Sequence, residues 1–281
     1  MRILITGSSG FIGGSFGRYA AAAGHVVMGA GRSRTAGKHW PGLYTGLDDP
    51  QDLADLIRDF IPDVLVQAAG SASVGASLEN PLHDFRGSVQ ICAEFLDAVR
   101  RSGRDPLVVI PSSAAVYGNP ASLPVAEDVF LQPISPYGFH KAASELVARE
   151  YSECLGLRIM ICRFFSVFGP AQRRLLVWEL YRQLAGPAKT AWLGGTGKET
   201  RDFLYIEDLA VALLGLIENS PGAARECLIV NIASGTETSV LTLAETLREL
   251  VAPEKQISCR GNLRVNDPLR WWANIDRLQT L

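Results

Sequence analysis

Apolar and polar positions along this chain come in blocks that predict strands and helices in turn. Residues 1–6, Met1-Arg2-Ile3-Leu4-Ile5-Thr6, form the short apolar run of a buried parallel strand. A helix is expected to open directly after residues 7–13 and to continue to about Gly24. Further strands are predicted at 25–30, 62–67, 107–111 and 157–165, with helices at 53–60, 81–101 and 136–155. This β-α-β order gives an α/β fold, a doubly wound parallel sheet with helices on both faces. After residue 170 the rhythm loosens. A basic, aromatic helix is predicted at 173–184, a Gly-rich loop at 194–197, a strand near Phe203 and a helix at 208–217. One more strand (227–232) and helix (240–250) complete the pattern.

The turn after the first strand reads Gly7-Ser8-Ser9-Gly10-Phe11-Ile12-Gly13. Glycines there let backbone N–H groups approach a phosphate, and the following helix N-terminus favours its charge. A glycine-rich stretch alone is equally a plain tight turn. Its place between the first strand and the first helix makes it a dinucleotide site in a Rossmann-type sheet. Gly7, Ser9, Gly10, Phe11, Ile12 and Gly13 are the expected phosphate-loop contacts. Ala68, Ala69 and Gly70, beyond the strand at 62–67, are small enough for a flat cofactor to lie close. Helix–sheet packing also favours small residues there. The second strand runs into Gly29-Ala30-Gly31-Arg32-Ser33-Arg34, without the acid that binds an NAD ribose. Arg32 is therefore expected to hold a 2′-phosphate, which favours NADP over NAD, although loop arginines are commonly just solvated.

Chemistry is suggested by two later segments. Pro111-Ser112-Ser113-Ala114-Ala115-Val116-Tyr117-Gly118 leaves the fourth strand, and Ser135-Pro136-Tyr137-Gly138-Phe139-His140-Lys141 opens a helix. Ser135 suits the N-cap and Pro136 the first helical position. Tyr137 and Lys141 then lie one turn apart on one helix face. A phenol is a poor base at neutral pH, and a neighbouring ammonium favours its anion. A serine at a strand end can hydrogen-bond the same substrate oxygen. Y-x-x-x-K is frequent by itself; together with the glycine turn and Ser113 it becomes specific.

On these segments the chain resembles the extended short-chain dehydrogenase/reductase family, in its nucleotide-sugar epimerase/dehydratase branch. The resemblance implies Ser113, Tyr137 and Lys141 as catalytic residues, with Tyr137 and Lys141 also touching the cofactor. Thr200-Arg201-Asp202-Phe203 and Arg264-Val265-Asn266-Asp267 resemble the family's substrate segments, which implies that Arg201 and Arg264 bind a diphosphate. Separately, each arginine could equally be a surface ion pair. Asn231-Ile232-Ala233-Ser234-Gly235 resembles N-x-G-x-G. Ser166 stands where the family usually places a substrate-binding Asn, Ser88 where a structural Asn often stands, and Gln67 replaces a common His. Asp48 lies near the usual adenine-contacting acid. Sugar dehydratases carry an acidic pair after the catalytic Ser/Thr; Ala114 and Ala115 cannot shuttle protons. The expected activity is therefore C4 epimerisation of a nucleotide sugar. The alternatives are an NADPH-dependent 4-keto-sugar reductase, or a silent NADP-binding regulator.

The bulk numbers agree. A chain of 281 residues divides into an expected NAD(P)-binding domain at 1–168 and a smaller α/β substrate-binding region at 169–281. Residues 201–219 are expected to pack back on the first domain. With 47% hydrophobic residues and a net charge of −2, the chain is neither disordered nor a general nucleic-acid binder. The longest apolar run, 209–217, is too short to span a membrane, and no charged, apolar leader is visible. The five scattered cysteines read as reduced thiols, hence a cytoplasmic expectation. The four histidines share no ligand spacing, so no metal is expected. Helices 82–99 and 136–155 could form a four-helix dimer interface, as the family's dimers usually do; burial within the monomer competes.

Overall fold

The structure is a computed structural model, described over residues 1–31, 43–46, 50–219, 227–262 and 268–281. In chain order its first half contains β1 (Arg2–Thr6), α1 (Phe11–Ala22), β2 (Val26–Gly31), β3 (Leu43–Gly46), α2 (Pro50–Phe60) and β4 (Val64–Gln67). There follow α3 (Val74–Glu79), α4 (Pro81–Phe85), α5 (Ile91–Ser102), β5 (Leu107–Ser113), α6 (Pro136–Glu153) and β6 (Ile159–Phe164). The second half adds β7 (Ser166–Phe168), α7 (Leu175–Ala185), β8 (Thr190–Leu193), β9 (Thr200–Arg201), β10 (Phe203–Tyr205) and α8 (Ile206–Asn219). It closes with β11 (Leu228–Ile232), β12 (Thr238–Ser239), α9 (Val240–Val251), β13 (Gln256–Cys259) and α10 (Asp276–Thr280).

Seven of these strands make one parallel sheet in the order β11-β6-β5-β4-β1-β2-β3. Alternate residues of each central strand are buried on opposite faces, which is why these strands read as continuous apolar runs. Ile3 and Ile5 of β1 join Phe16 and Ala20 of α1 and Leu209 and Leu213 of α8. Leu4, between them, packs with Ile57 of α2, Leu96 of α5 and Ala148 of α6. The order of strand addition reverses between β1 and β4, and ligands of open parallel sheets bind in the crevice outside such a switch point.

Residues beyond 168 return to this sheet: β11 is its edge strand, and α8 covers the face shared with α1. The rest of the second half makes a small layer in which β8 pairs with β13 against α7 and α9. The extended tail then crosses back. Ala273 bridges to Val125, and Trp271 packs against a cluster containing Tyr117 and Phe165.

The helix predicted at 81–101 runs without a break from Pro81 to Ser102, with one widened turn inside it. This π turn, Arg86–Gln90, joins α4 to α5. There the Gly87 carbonyl accepts the Ser71 amide at 2.8 Å, a bond to a loop outside the helix. Widened turns of this kind absorb one extra residue where a helix meets such a neighbour. The first helix also stops earlier than predicted, at Ala22, where Gly24 takes a left-handed φ of +92°. The short strands β3, β7, β8, β9, β12 and β13 were not predicted, because two to four residues carry too little alternation to register.

Candidate active site

At the switch point the glycine turn folds tightly on itself. The Gly7 amide donates to the Ala30 carbonyl at 3.0 Å, and the Gly10 amide to the Gly7 carbonyl at 2.9 Å. Gly7 has a φ of +69°, and a Cβ there would strike the backbone of Ala68 and Ala69. A Cβ at Gly13 would lie 2.6 Å from the Gly7 carbonyl oxygen and 2.9 Å from the Ala68 Cβ. The loops leaving β1 and β4 thus press together so closely that only glycine and alanine fit. Gly10 caps α1 without a side chain of its own to take up the helix's first amides. Those amides, the helix dipole and the missing Cβ atoms form a cradle that fits the pyrophosphate of a dinucleotide. Phe11, Ile12 and Gly13 open the helix, Ser9 is exposed beside it, and Ala68, Ala69 and Gly70 form the opposite lip. Arg32, Ser33, Arg34 and Asp48 lie outside the described residues.

Ser113 ends β5, and Tyr137 and Lys141 stand in the first turns of α6, which is bonded to that strand; each is partly exposed. Ser113 is the last residue of the strand, and its Oγ accepts the Ala115 amide at 3.2 Å, which leaves the hydroxyl proton to be donated elsewhere. Ser135 caps α6 by accepting the Gly138 amide at 3.2 Å, and Pro136 takes the first position, as the sequence predicts. The Tyr137 amide donates to Ser77 Oγ of α3 at 3.1 Å. Lys141 Nζ lies 5.9 Å from the centre of the Tyr137 ring and donates to the Pro111 carbonyl of β5 at 2.9 Å. The lysine therefore ties α6 to the strand that carries Ser113.

Behind these residues runs a buried polar network that sequence reasoning missed. Glu145, one turn beyond Lys141, accepts Ser112 Oγ at 2.5 Å and Arg163 at 3.0 and 2.7 Å. Arg163 Nη1 also donates to the Tyr117 hydroxyl at 2.9 Å and the Glu127 carbonyl at 2.8 Å. Tyr117 donates in turn to Asn231 Oδ1 at 2.6 Å. Burial pushes the Tyr117 phenol up to about 12, so it acts as a neutral donor. Burial alone would disfavour the Arg163 cation, but Glu145 more than offsets this and the guanidinium stays charged. The available signal was the helical spacing of Glu145 from Lys141.

The resemblance-derived substrate residues fall beside this network. Ser166 pairs with Phe203, and its amide donates to the Asp202 carbonyl at 2.9 Å. Arg201, only 8% exposed, sits 5.6 Å from the Trp271 ring and donates to the Thr200 carbonyl. Asp202 is fully buried and accepts the Ser234 amide and hydroxyl and the Gly235 amide at 2.7–2.9 Å. Ser166 of β7 is thus paired with Phe203 of β10, while Arg201, two residues before Phe203, is paired with Thr238 of β12; Arg264 lies outside the described residues. Among the described residues, no cluster of His, Cys, Asp or Glu could hold a metal ion, and no helix is long and apolar enough to cross a membrane.

A parallel sheet with a glycine cradle at its switch point defines a dinucleotide-binding protein of the Rossmann type. A family model for the NAD-dependent epimerase/dehydratase family matches residues 3–233, and the chain belongs to this family. It is 32% identical to a UDP-glucose 4-epimerase of Azospirillum brasilense, over 99% of this chain and 85% of that one. It is 28% identical to a GDP-6-deoxy-D-mannose reductase of Pseudomonas aeruginosa, over 96% and 84%. Among solved structures, UDP-glucose 4-epimerase from Brucella ovis in complex with NAD superposes with a TM-score of 0.87 at 25% identity, covering 99% and 91%. The chain is thus an enzyme of a family whose members act on nucleotide sugars, related to epimerases and to a reductase alike.

Proposed function

We infer that this enzyme is a nucleotide-sugar 4-epimerase with Tyr137 as its acid/base. The observation that carries this reading is the anchoring of α6, with Tyr137 and Lys141 one turn apart, to β5, the strand that Ser113 ends, in the same sheet as the glycine cradle. The bound nicotinamide supplies reversible hydride transfer. Tyr137 takes the proton of the sugar C4 hydroxyl and later returns it, with the Lys141 ammonium one helical turn away. Ser113 donates a hydrogen bond to the same oxygen. Arg201, together with Arg264, holds the substrate diphosphate, and Ser166 contacts the sugar nucleotide, so the keto-sugar can turn without leaving. Ala114 and Ala115 carry no proton-transfer group, which speaks against dehydration.

The absence of an acid along β2 and the arginine at position 32 support NADP(H) over NAD(H). That preference, and the reductase among the relatives, favour the second reading, reduction of a 4-keto sugar at the same residues. Five unpaired cysteines support a reducing, cytoplasmic setting. Leu82 and Phe85 of α4 and Phe139 and Leu146 of α6 are exposed, which supports a homodimer formed through these helices.

One experiment tests the reading. Wild-type and Tyr137→Phe proteins are incubated with UDP-glucose or UDP-galactose and with each cofactor, and product and cofactor oxidation state are followed. Epimerisation without net cofactor consumption, lowered roughly 10²–10⁴-fold by Tyr137→Phe, is expected. Stoichiometric NADPH oxidation with a keto-sugar would favour the reductase. Normal turnover by Tyr137→Phe would remove the acid/base assignment.

A further inference from the structure

We propose that Glu145, gripping Ser112 and braced by Arg163, is the positioning residue that sets the Tyr137–Lys141 turn of α6 against Ser113. This rests on the roles given to those three residues above.

Lys141, Glu145 and Ala148 follow one another along the face of α6 turned to the sheet. Ala148 packs with Val108 and Ile110 of β5 and with Ile159 and Ile161 of β6. One pleat further towards the strand ends, the paired positions are Ser112 and Arg163. There the apolar contact gives way to a carboxylate, a guanidinium and a hydroxyl, with Glu145 and Arg163 only 3% and 2% exposed. Burying an ion pair is a weak source of stability, since apolar residues of similar volume commonly do as well. The same interface uses apolar residues one step earlier, so apolar packing was available.

What the polar set adds is direction. Glu145 Oε1 takes the Ser112 hydroxyl at 2.5 Å, while both of its oxygens are held by Arg163. Arg163 is fixed in turn by the Tyr117 hydroxyl and the Glu127 carbonyl. Lys141 makes the second tie, to the Pro111 carbonyl. Two polar ties, to residues on either side of one β5 peptide, oppose rotation and sliding of α6. Ser112 adjoins Ser113 in sequence, so the grip acts where displacement would separate hydroxyl from phenol. An apolar contact is non-directional and tolerates such sliding.

Ser112→Ala isolates this role, because it leaves the Arg163–Glu145 pair and the Lys141–Pro111 bond intact and removes only the tie from Glu145 to β5. Amide exchange of residues 136–145 is compared in wild type, Ser112→Ala and Ser112→Thr, with NAD affinity and UDP-glucose turnover measured on the same samples. Expected for Ser112→Ala are faster exchange in that segment and a kcat lowered about 10- to 10²-fold, the scale of a small misplacement of catalytic groups. KM and NAD affinity should stay within about twofold, and Ser112→Thr, which keeps the hydroxyl, should recover kcat. Unchanged exchange in Ser112→Ala overturns the proposal, as does faster exchange with full kcat. Tyr137→Phe serves as the control. If it abolishes turnover while Ser112→Ala does not alter it, the positioning role fails and the catalytic reading stands. If Tyr137→Phe turns over normally, the catalytic reading is the one that fails. If the wild type does not turn over UDP-glucose, the exchange comparison alone decides.

Discussion

Gly13→Ala and Gly215→Ala are the same substitution in two helices, and the structure predicts opposite outcomes. Within a helix, alanine is favoured over glycine by about 1 kcal/mol. At Gly215 of α8 a new Cβ meets nothing within 4 Å, so that gain should be realised. At Gly13 the Cβ would sit 2.6 Å from the Gly7 carbonyl oxygen and 2.9 Å from the Ala68 Cβ. Neither is the end of a flexible side chain, so the first turn of α1 must back away from the glycine loop. Overpacking of this kind costs about 1–3 kcal/mol, which cancels or exceeds the propensity gain. For a chain of this size about 1 kcal/mol moves Tm by roughly 2–4 °C. Gly215→Ala should therefore melt a few degrees higher than wild type, and Gly13→Ala at the same temperature or lower. The larger effect should be on cofactor binding. Displacing α1 by a fraction of an ångström lengthens the contacts between its amides and a phosphate. Losing one charge-assisted hydrogen bond, about 1.5–3 kcal/mol, weakens binding about 10- to 100-fold. Thermal melts without cofactor and calorimetric titration with NAD and NADP check both parts. If Gly13→Ala melted as high as Gly215→Ala and bound both dinucleotides normally, the close-packed cradle would not be the phosphate site.

Two further outcomes follow from other parts of the structure. Burial pushes the Glu199 carboxyl up, but hydrogen bonds from Thr196 and Gly197 outweigh it and hold the group below its ordinary value. A depressed carboxyl stabilises the fold above its unfolded pKa, and that contribution is lost as pH falls through the folded value. Glu199→Gln should therefore lower stability by about 1–2 kcal/mol at pH 7, with the difference from wild type shrinking below about pH 4.5 in denaturant titrations. Leu146→Glu on the exposed face of α6 tests the proposed homodimer: the wild type should sediment as a dimer and the variant as a monomer with an unchanged Tm, and equal sedimentation of the two would reject that face as an interface.

The sequence by itself determined the elements whose causes are local. The apolar run of β1, the glycine turn and the opening of α1 follow from residues within a dozen positions of one another. So does the start of α6, where Ser135 and Pro136 cap a helix that puts Tyr137 and Lys141 on one face. Only tertiary structure decided the rest, because its partners are remote. Tyr117 meets Asn231 across 114 positions, and Arg163 meets Glu145 from a strand beneath the helix. Neither pairing has a periodicity to announce it, and a buried Glu or Arg cannot be told from a solvated one in a string of letters. The π turn at Arg86–Gln90 likewise reflects the loop lying against it. Local rules state what each segment can become; which side chains then lose water together depends on how the sheet stacks those segments, and that fixes where the charges go.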